Sequence, residues 1–281
     1  MDKNQVLFDK IIDLAKRTEN VRVVEMNGSR VNPNITKDQY QDFDIVFYVK
    51  NFKAFLKDET WKNDFDKPLV SQCSKEQRDY DESSNSYIYM LQFFDGTRLD
   101  LNIVDIKNID KAIKKDSLSK IILDKDNYGF NSNPNESSYY VEKINEKDFS
   151  FTVNEFFWVL PYVAKGLSRN EVIYAYKHLN IIREELDNIL DWWIGYNHDY
   201  KISVGKMKKK YKELLPKEIY EKYLNTYASI KINSIKSGLF QTLELFDCFS
   251  RKLADIYGYF YDRALYDKML YFLSENYNLA K

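Results

Sequence analysis

At 281 residues, with 44% apolar and 16% aromatic content, the chain has enough sequence to bury two cores of ordinary size or one large one, and extensive disorder is excluded. Its 42 basic and 43 acidic residues leave a net charge of −1, so no global field draws nucleic acid or a membrane surface, and neither partner is expected. Cys73 and Cys248 have no metal-ligand spacing and offer no disulfide framework, and MDKNQVLFDKIIDLAKR lacks the apolar core of a signal peptide, which together point to the cytoplasm.

Val6, Leu7, Ile11, Leu14 and Ala15 recur at helical spacing, which predicts an amphipathic helix over residues 3 to 17. VRVVEM, residues 21 to 26, reads as a strand ended by a Gly28-Ser29 turn, and DFDIVFYV, residues 42 to 49, reads as the next strand. YIYMLQFF (87 to 94) and TRLDLNIV (97 to 104) flank Asp95-Gly96, a two-residue hairpin signal. Residues 125 to 150 lose apolar periodicity and collect Asn, Ser, Pro and Gly, which marks a boundary between a domain over 1–140 and another over 150–281. Asn135-Glu136-Ser137 matches a glycosylation acceptor, a pattern with little meaning in a chain without a secretion signal.

Beyond the boundary the period becomes helical. Thr152 with Glu155 and Ser168 with Glu171 each match a capping box opening a helix. Val172, Tyr176, Leu179, Ile182, Leu186, Ile189 and Trp193 continue an apolar stripe, Pro216 opens another helix, and a long aromatic-rich helical stretch runs from about Ser234 to the C-terminus. FFWVLPYVA, the longest apolar run, is about half of what a membrane span needs. The fold class is therefore α+β: a mixed sheet with flanking helices, then an α-helical bundle.

Strand alternation turns Asp42 and Asp44 to one face and Phe43 and Ile45 to the other. Two carboxylates about 7 Å apart along a strand repel each other unless a cation joins them, and the hard cation that leaves room for phosphate oxygens is Mg²⁺. Asp100 can complete the set if its strand lies beside theirs. Three acids around one or two Mg²⁺ ions make a phosphoryl- or nucleotidyl-transfer site. Gly28 lets the backbone come close to a phosphate, and the Ser29 hydroxyl can bind phosphate oxygens. A D-x-D or a G-S turn alone is a common accident, but their combination with a later strand aspartate is not.

This pattern resembles the nucleotidyltransferase superfamily of the DNA polymerase beta type, with Asn27 as a departure where an apolar residue is usual. NGSRVNPN, QDFDIVFYV, RLDLNIV, NEFFWVLPYVAKGLSRNEVIYA and SVGK, spread over residues 25 to 210, are similar to the aminoglycoside 6-adenylyltransferase (streptomycin adenylyltransferase) family. The resemblance implies a polymerase-beta-like nucleotidyltransferase domain followed by a helical drug-binding domain. It also implies Mg²⁺-dependent transfer of AMP from ATP to a hydroxyl of a streptomycin-like aminoglycoside, with pyrophosphate released. Asp42, Asp44 and Asp100 would then bind metal and carry the catalysis, and Gly28 and Ser29 would take the phosphates. Asp100 is favoured as general base, with a glutamate from elsewhere in the cleft as the alternative.

Arg30 can reach a phosphate or make a surface salt bridge. Lys165 sits where a cation favours a helix end, with Gly166 as a C-terminal cap, and the resemblance gives it a triphosphate contact across the domain cleft. Lys206 and Lys209, in the basic run GKMKKKYK, read as a solvated helix face, while the resemblance, whose matching segment also has lysines there, implies neutralisers of triphosphate charge. A guanidinium-bearing drug needs carboxylates; Glu155, Glu171, Asp187, Asp191 and Asp199 are available, and Glu155 and Asp191 are selected. Trp158, Trp192 and Trp193 read as core, and His178 and His198 as structural. A monomer is expected. The alternatives are the same chemistry on another acceptor, or a non-catalytic nucleotide-binding module.

Overall fold

The computed structural model describes residues 2–81, 83–130 and 133–280. The chain divides into two compact units, Met1–Ser138 and Tyr139–Lys281. Asn131 and Ser132, inside the stretch expected to divide the domains, lie outside the described residues.

In the first unit, helix α1 (Lys3–Arg17) is capped by the Asp2 carboxylate and buries Leu7, Ile11, Leu14 and Ala15. It is followed by β1 (Val21–Asn27), β2 (Phe43–Val49), α2 (Phe52–Lys57), β3 (Val70–Cys73), β4 (Ser86–Gln92), β5 (Arg98–Asp105), α3 (Ile109–Ile113) and β6 (Ser119–Asp124). The strands form one sheet in the order β3-β4-β5-β2-β1-β6. Among the described residues, β2 and β5 are the one parallel pair and the other neighbours pair antiparallel. The expected hairpin forms, with the Asp95 carboxylate accepting from the Thr97 N–H and hydroxyl across the turn.

Alternation along β2 divides the apolar side chains between two layers. Phe43, Ile45, Phe47 and Val49 join Ile11, Leu14 and Leu101 in the larger core, while Val46 and Tyr48 meet Val23, Val104 and Ile109 in a smaller one. Asp44 lies on the face of the smaller core, at the start of the strand. Asp42, expected inside this strand, lies one residue before it.

The second unit is helical: α4 (Glu146–Ser168), α5 (Val172–Asn197), α6 (Tyr211–Leu214), α7 (Lys217–Leu224), α8 (Ile232–Tyr257) and α9 (Leu265–Tyr277). The predicted stripe is its centre, with Leu179, Ile182, Leu186 and Ile189 fully buried and Phe156 stacked on Phe246 at 3.6 Å between ring centroids.

Several local expectations are overturned. Helix α4 starts at Glu146, where Asn145 accepts from the Asp148 N–H, so Thr152 is an interior residue. Ser168 ends α4 instead of capping α5, whose N-cap Glu171 makes no side-chain cap bond. Gly166 lies within α4, where an added Cβ would meet the Ala175 nitrogen at 2.8 Å, so it serves close helix packing and not a cap. The C-terminal stretch is two helices, because Gly258 adopts a left-handed conformation after Tyr257. Trp158 is 67% exposed instead of buried, whereas Trp192 and Trp193 do pack on the core. No helix among the described residues is long and apolar enough to cross a membrane.

Candidate active site

The acidic residues of the first unit come together through strand register. Asp44 on β2 is the partner of Asn27 on β1 and of Asp100 on β5, and Asn27 is in turn the partner of Ser119 on β6. Register partners share a face, so Ser119, Asn27, Asp44 and Asp100 form one row across the sheet. The strand spacing brings Asp44 and Asp100 to within roughly 4.8 Å of each other at the backbone.

Gly28 follows β1 and opens a single 3₁₀ turn, Gly28–Arg30, and not a longer helix. Its φ is +74°, and a Cβ built there would stand 2.5 Å from Asp44 Oδ2. The turn therefore fits against the carboxylate only because position 28 has no side chain. The Gly28 N–H donates to the Leu118 carbonyl at 2.9 Å and is committed to the fold. The Ser29 hydroxyl has no hydrogen-bond partner among the described residues and remains the turn's free polar group.

Arg30 is spent on its own chain. It donates to the carbonyls of Asp42 and Gln41 and to Asn4 Oδ1, and its guanidinium lies 3.5 Å over the Phe43 ring. Through Nε and Nη2 it braces the residues leading to Asp44, and no surface ion pair of the kind expected is formed among the described residues. Farther along the same connection, buried Glu136 accepts from Asn32 Nδ2 at 2.8 Å and Asn34 Nδ2 at 3.3 Å and tethers the segment after the turn.

The basic partner of the acidic row is Arg98, which alternation along β5 turns to the face of Asp100. Its Nε donates to Asp100 Oδ1 and its Nη2 to Asp100 Oδ2, both at 2.9 Å, and Nε lies 3.8 Å from Asp42 Oδ2. The Asp100 hydrogen bonds above all hold the Arg98 pKa above its ordinary value. Among the described residues, no three His, Cys, Asp or Glu side chains are drawn into a group that could already hold a metal ion. The convergence expected of three carboxylates on a cation is thus met in part by a guanidinium. Their chemistry still suits a divalent metal: the carboxylates of Asp44 and Asp100 are hard oxygen donors on adjacent strands.

Glu25 lies one register pair deeper on the same face and was not foreseen. It is 1% exposed, it accepts from the Tyr48 and Ser119 hydroxyls, and burial raises its pKa. Its signal in the sequence was an acid alternating with Val23 and Asn27 on one face of a mostly apolar strand.

In the second unit, Asp191 is engaged by its own chain: Lys208 donates to Oδ2, and the Tyr211 hydroxyl donates to Oδ1 at 2.6 Å. Asp191, one of the two carboxylates selected for the drug, thus lies in a charged and hydrogen-bonded cluster of its own unit. The bond fixes a segment in which Met207 and Lys208 both adopt positive φ and Lys206 and Lys209 are exposed. Glu155 is half-buried and close enough to Glu185 to contribute repulsion to it, and burial above all raises the Glu185 pKa. Glu185 was another acid that sequence reasoning missed. Lys165 stands 5.0 Å from the Tyr162 ring centroid in the last turn of α4. His178 and His198 each bond a backbone carbonyl four residues earlier.

A family profile described as streptomycin adenylyltransferase matches residues 1–276. An aminoglycoside 6-adenylyltransferase of Bacillus subtilis (strain 168) is 32% identical over 265 residues, covering 93% of this chain and 93% of its own. The protein of the same name from Campylobacter jejuni is 31% identical over 272 residues, covering 96% of this chain and 94% of its own. The crystal structure of an aminoglycoside 6-adenyltransferase from Bacillus subtilis aligns with 95% of this chain and 96% of its own, at 26% identity and a TM-score of 0.46.

Proposed function

Because this chain belongs to the streptomycin adenylyltransferase family, we propose that it transfers AMP from ATP to a hydroxyl of an aminoglycoside, streptomycin above all, in the cytoplasm. The observation that carries the reading is the register pairing of Asp44 with Asp100 beside the Gly28 turn, with Asp42 sharing Arg98 with Asp100.

Asp42, Asp44 and Asp100 would hold Mg²⁺ through carboxylate oxygens. A bound divalent ion supplies charge neutralisation at the phosphates. Ser29 donates its hydroxyl to a phosphate oxygen, and Gly28 keeps the backbone near enough for that contact. The acceptor oxygen attacks the α-phosphorus, the bond from that phosphorus to the bridging oxygen of pyrophosphate breaks, and the acceptor's proton passes to Asp100. Asp100 acts as base once Arg98 no longer holds both its oxygens. In the second unit, Glu155 with Glu185 offers carboxylates to a guanidinium-bearing drug, and Lys165, Lys206 and Lys209 are cations suited to triphosphate charge.

The test is incubation with ATP labelled at the α-phosphate, Mg²⁺ and a panel of aminoglycosides. Label should move to streptomycin and appear in no acceptor when Mg²⁺ is chelated. Labelling of a different acceptor alone would overturn the choice of drug, and no labelling of any acceptor would overturn the reaction.

A further inference from the structure

Arg98 sits among the residues that the proposed reaction assigns to metal, and that reaction requires only that it let go of Asp100. Its fork takes both oxygens of Asp100 at 2.9 Å, and it stands 3.8 Å from Asp42. Arginine stays charged at any working pH, and its planar fork matches a carboxylate bidentately, so this is a strong and permanent counter-charge. Asp100 is the more enclosed partner, with its side chain 17% exposed against 39% for Arg98. The guanidinium therefore has an open side from which it can leave, while the carboxylate stays on the strand.

We propose that Arg98 is a counter-cation built into the acidic row, which competes with a divalent ion for Asp100 and Asp42 and so couples metal binding to nucleotide binding. A divalent ion arriving alone meets Asp100 already paired with a guanidinium that also stands 3.8 Å from Asp42, so one of the row's negative charges is offset. A nucleotide brings phosphate oxygens to which the guanidinium can transfer its hydrogen bonds, and this releases the aspartates. Arg98 is thus a positioning residue that makes metal and nucleotide bind together. The inference rests on the metal reading of the preceding subsection.

The experiment is a Mn²⁺ titration of the full chain, followed by the electron paramagnetic resonance of free Mn²⁺, with and without ATP and without acceptor. Wild type is compared with Arg98→Gln and Arg98→Lys, and far-ultraviolet circular dichroism reports folding. Removing a unit positive charge at close range should tighten Mn²⁺ binding in the absence of nucleotide by on the order of tenfold in Arg98→Gln. The enhancement of Mn²⁺ affinity by ATP should shrink by a similar factor. Arg98→Lys keeps the charge and loses the fork, and should fall between the two. If Arg98→Gln does not fold, Arg98→Lys decides: tighter binding of Mn²⁺ alone than wild type supports the proposal, and equal or weaker binding overturns it. Unchanged affinity in both variants sinks this proposal alone. Failure of all three proteins to bind Mn²⁺, with or without ATP, sinks the metal reading and the proposal with it.

Discussion

Replacing Gly28 by alanine tests the candidate site at its tightest point. Two costs are expected and they separate. Holding a residue with a Cβ at φ +74° costs about 1–2 kcal/mol, which for a unit of this size lowers the melting temperature by about 3–8 °C. The second cost is local. The new methyl would stand 2.5 Å from Asp44 Oδ2, and ordinary contact begins at 3.4 Å, so the carboxylate must retreat from the row. A displacement approaching 1 Å at a reacting centre costs about 10²-fold in rate. Gly129→Ala is the control, because Gly129 has φ +73° with nothing within 4 Å of its added Cβ. Both variants are melted and then assayed for AMP transfer well below their melting temperatures. Both should lose similar stability, and only Gly28→Ala should lose activity. If Gly28→Ala transfers AMP as fast as Gly129→Ala, the Asp44 carboxylate is not where the reaction occurs.

Asp44→Asn, which keeps the shape and removes the charge, should lower kcat/KM by about 10²- to 10³-fold while the protein remains folded; near-normal turnover would refute the metal-ligand role. Glu25 tests electrostatics in the interior. Its folded pKa is raised by burial, so the native state holds its proton more tightly than the unfolded chain, and stability falls as pH rises from the ordinary glutamate range through the raised value. Glu25→Gln removes that dependence, so the melting temperature of the variant should gain on wild type as pH rises, and parallel curves in a pH series of melts would contradict it. Phe156→Ala, at a fully buried position stacked on Phe246, should cost about 3–5 kcal/mol in chemical denaturation. Trp158→Ala, two residues on but 67% exposed, should cost within about 0.5 kcal/mol, and equal losses would mean the two faces of α4 are misassigned.

The parts of the site that could be read from sequence are those set by local spacing. Gly28-Ser29, the alternation of Asp42, Phe43 and Asp44, and Asp100 in a β-forming run were all visible as patterns of period two and turn chemistry. The pairing of Asp44 with Asp100 was visible only as a condition, because which strands are neighbours depends on the whole sheet. Arg98 was legible in principle: it lies two residues before Asp100, and side chains two apart on a strand share a face. The same rule picks out Glu25 two before Asn27. The capping boxes failed for a different reason. A hydroxyl three residues before a glutamate is frequent by chance, and at the start of α4 Asn145 supplied the cap a full turn and more earlier. The exposure of Trp158 was illegible because a tryptophan inside an apolar run looks the same whether the helix turns it inward or outward. Asp191 was read as available because nothing in a linear sequence shows that Lys208 and Tyr211 fold back onto it.

The one parallel pairing in the sheet, β2 with β5, has a consequence for how the protein comes into being. Hairpins such as β4 with β5 can zip from their turns, but β2 and β5 are joined by a long crossover and can meet only after the intervening chain has closed its loop. Asp100 thus joins Asp44 through a pairing that local zipping cannot make. Arg98 travels on the same strand as Asp100, so the second acid reaches Asp44 with its own positive escort already attached.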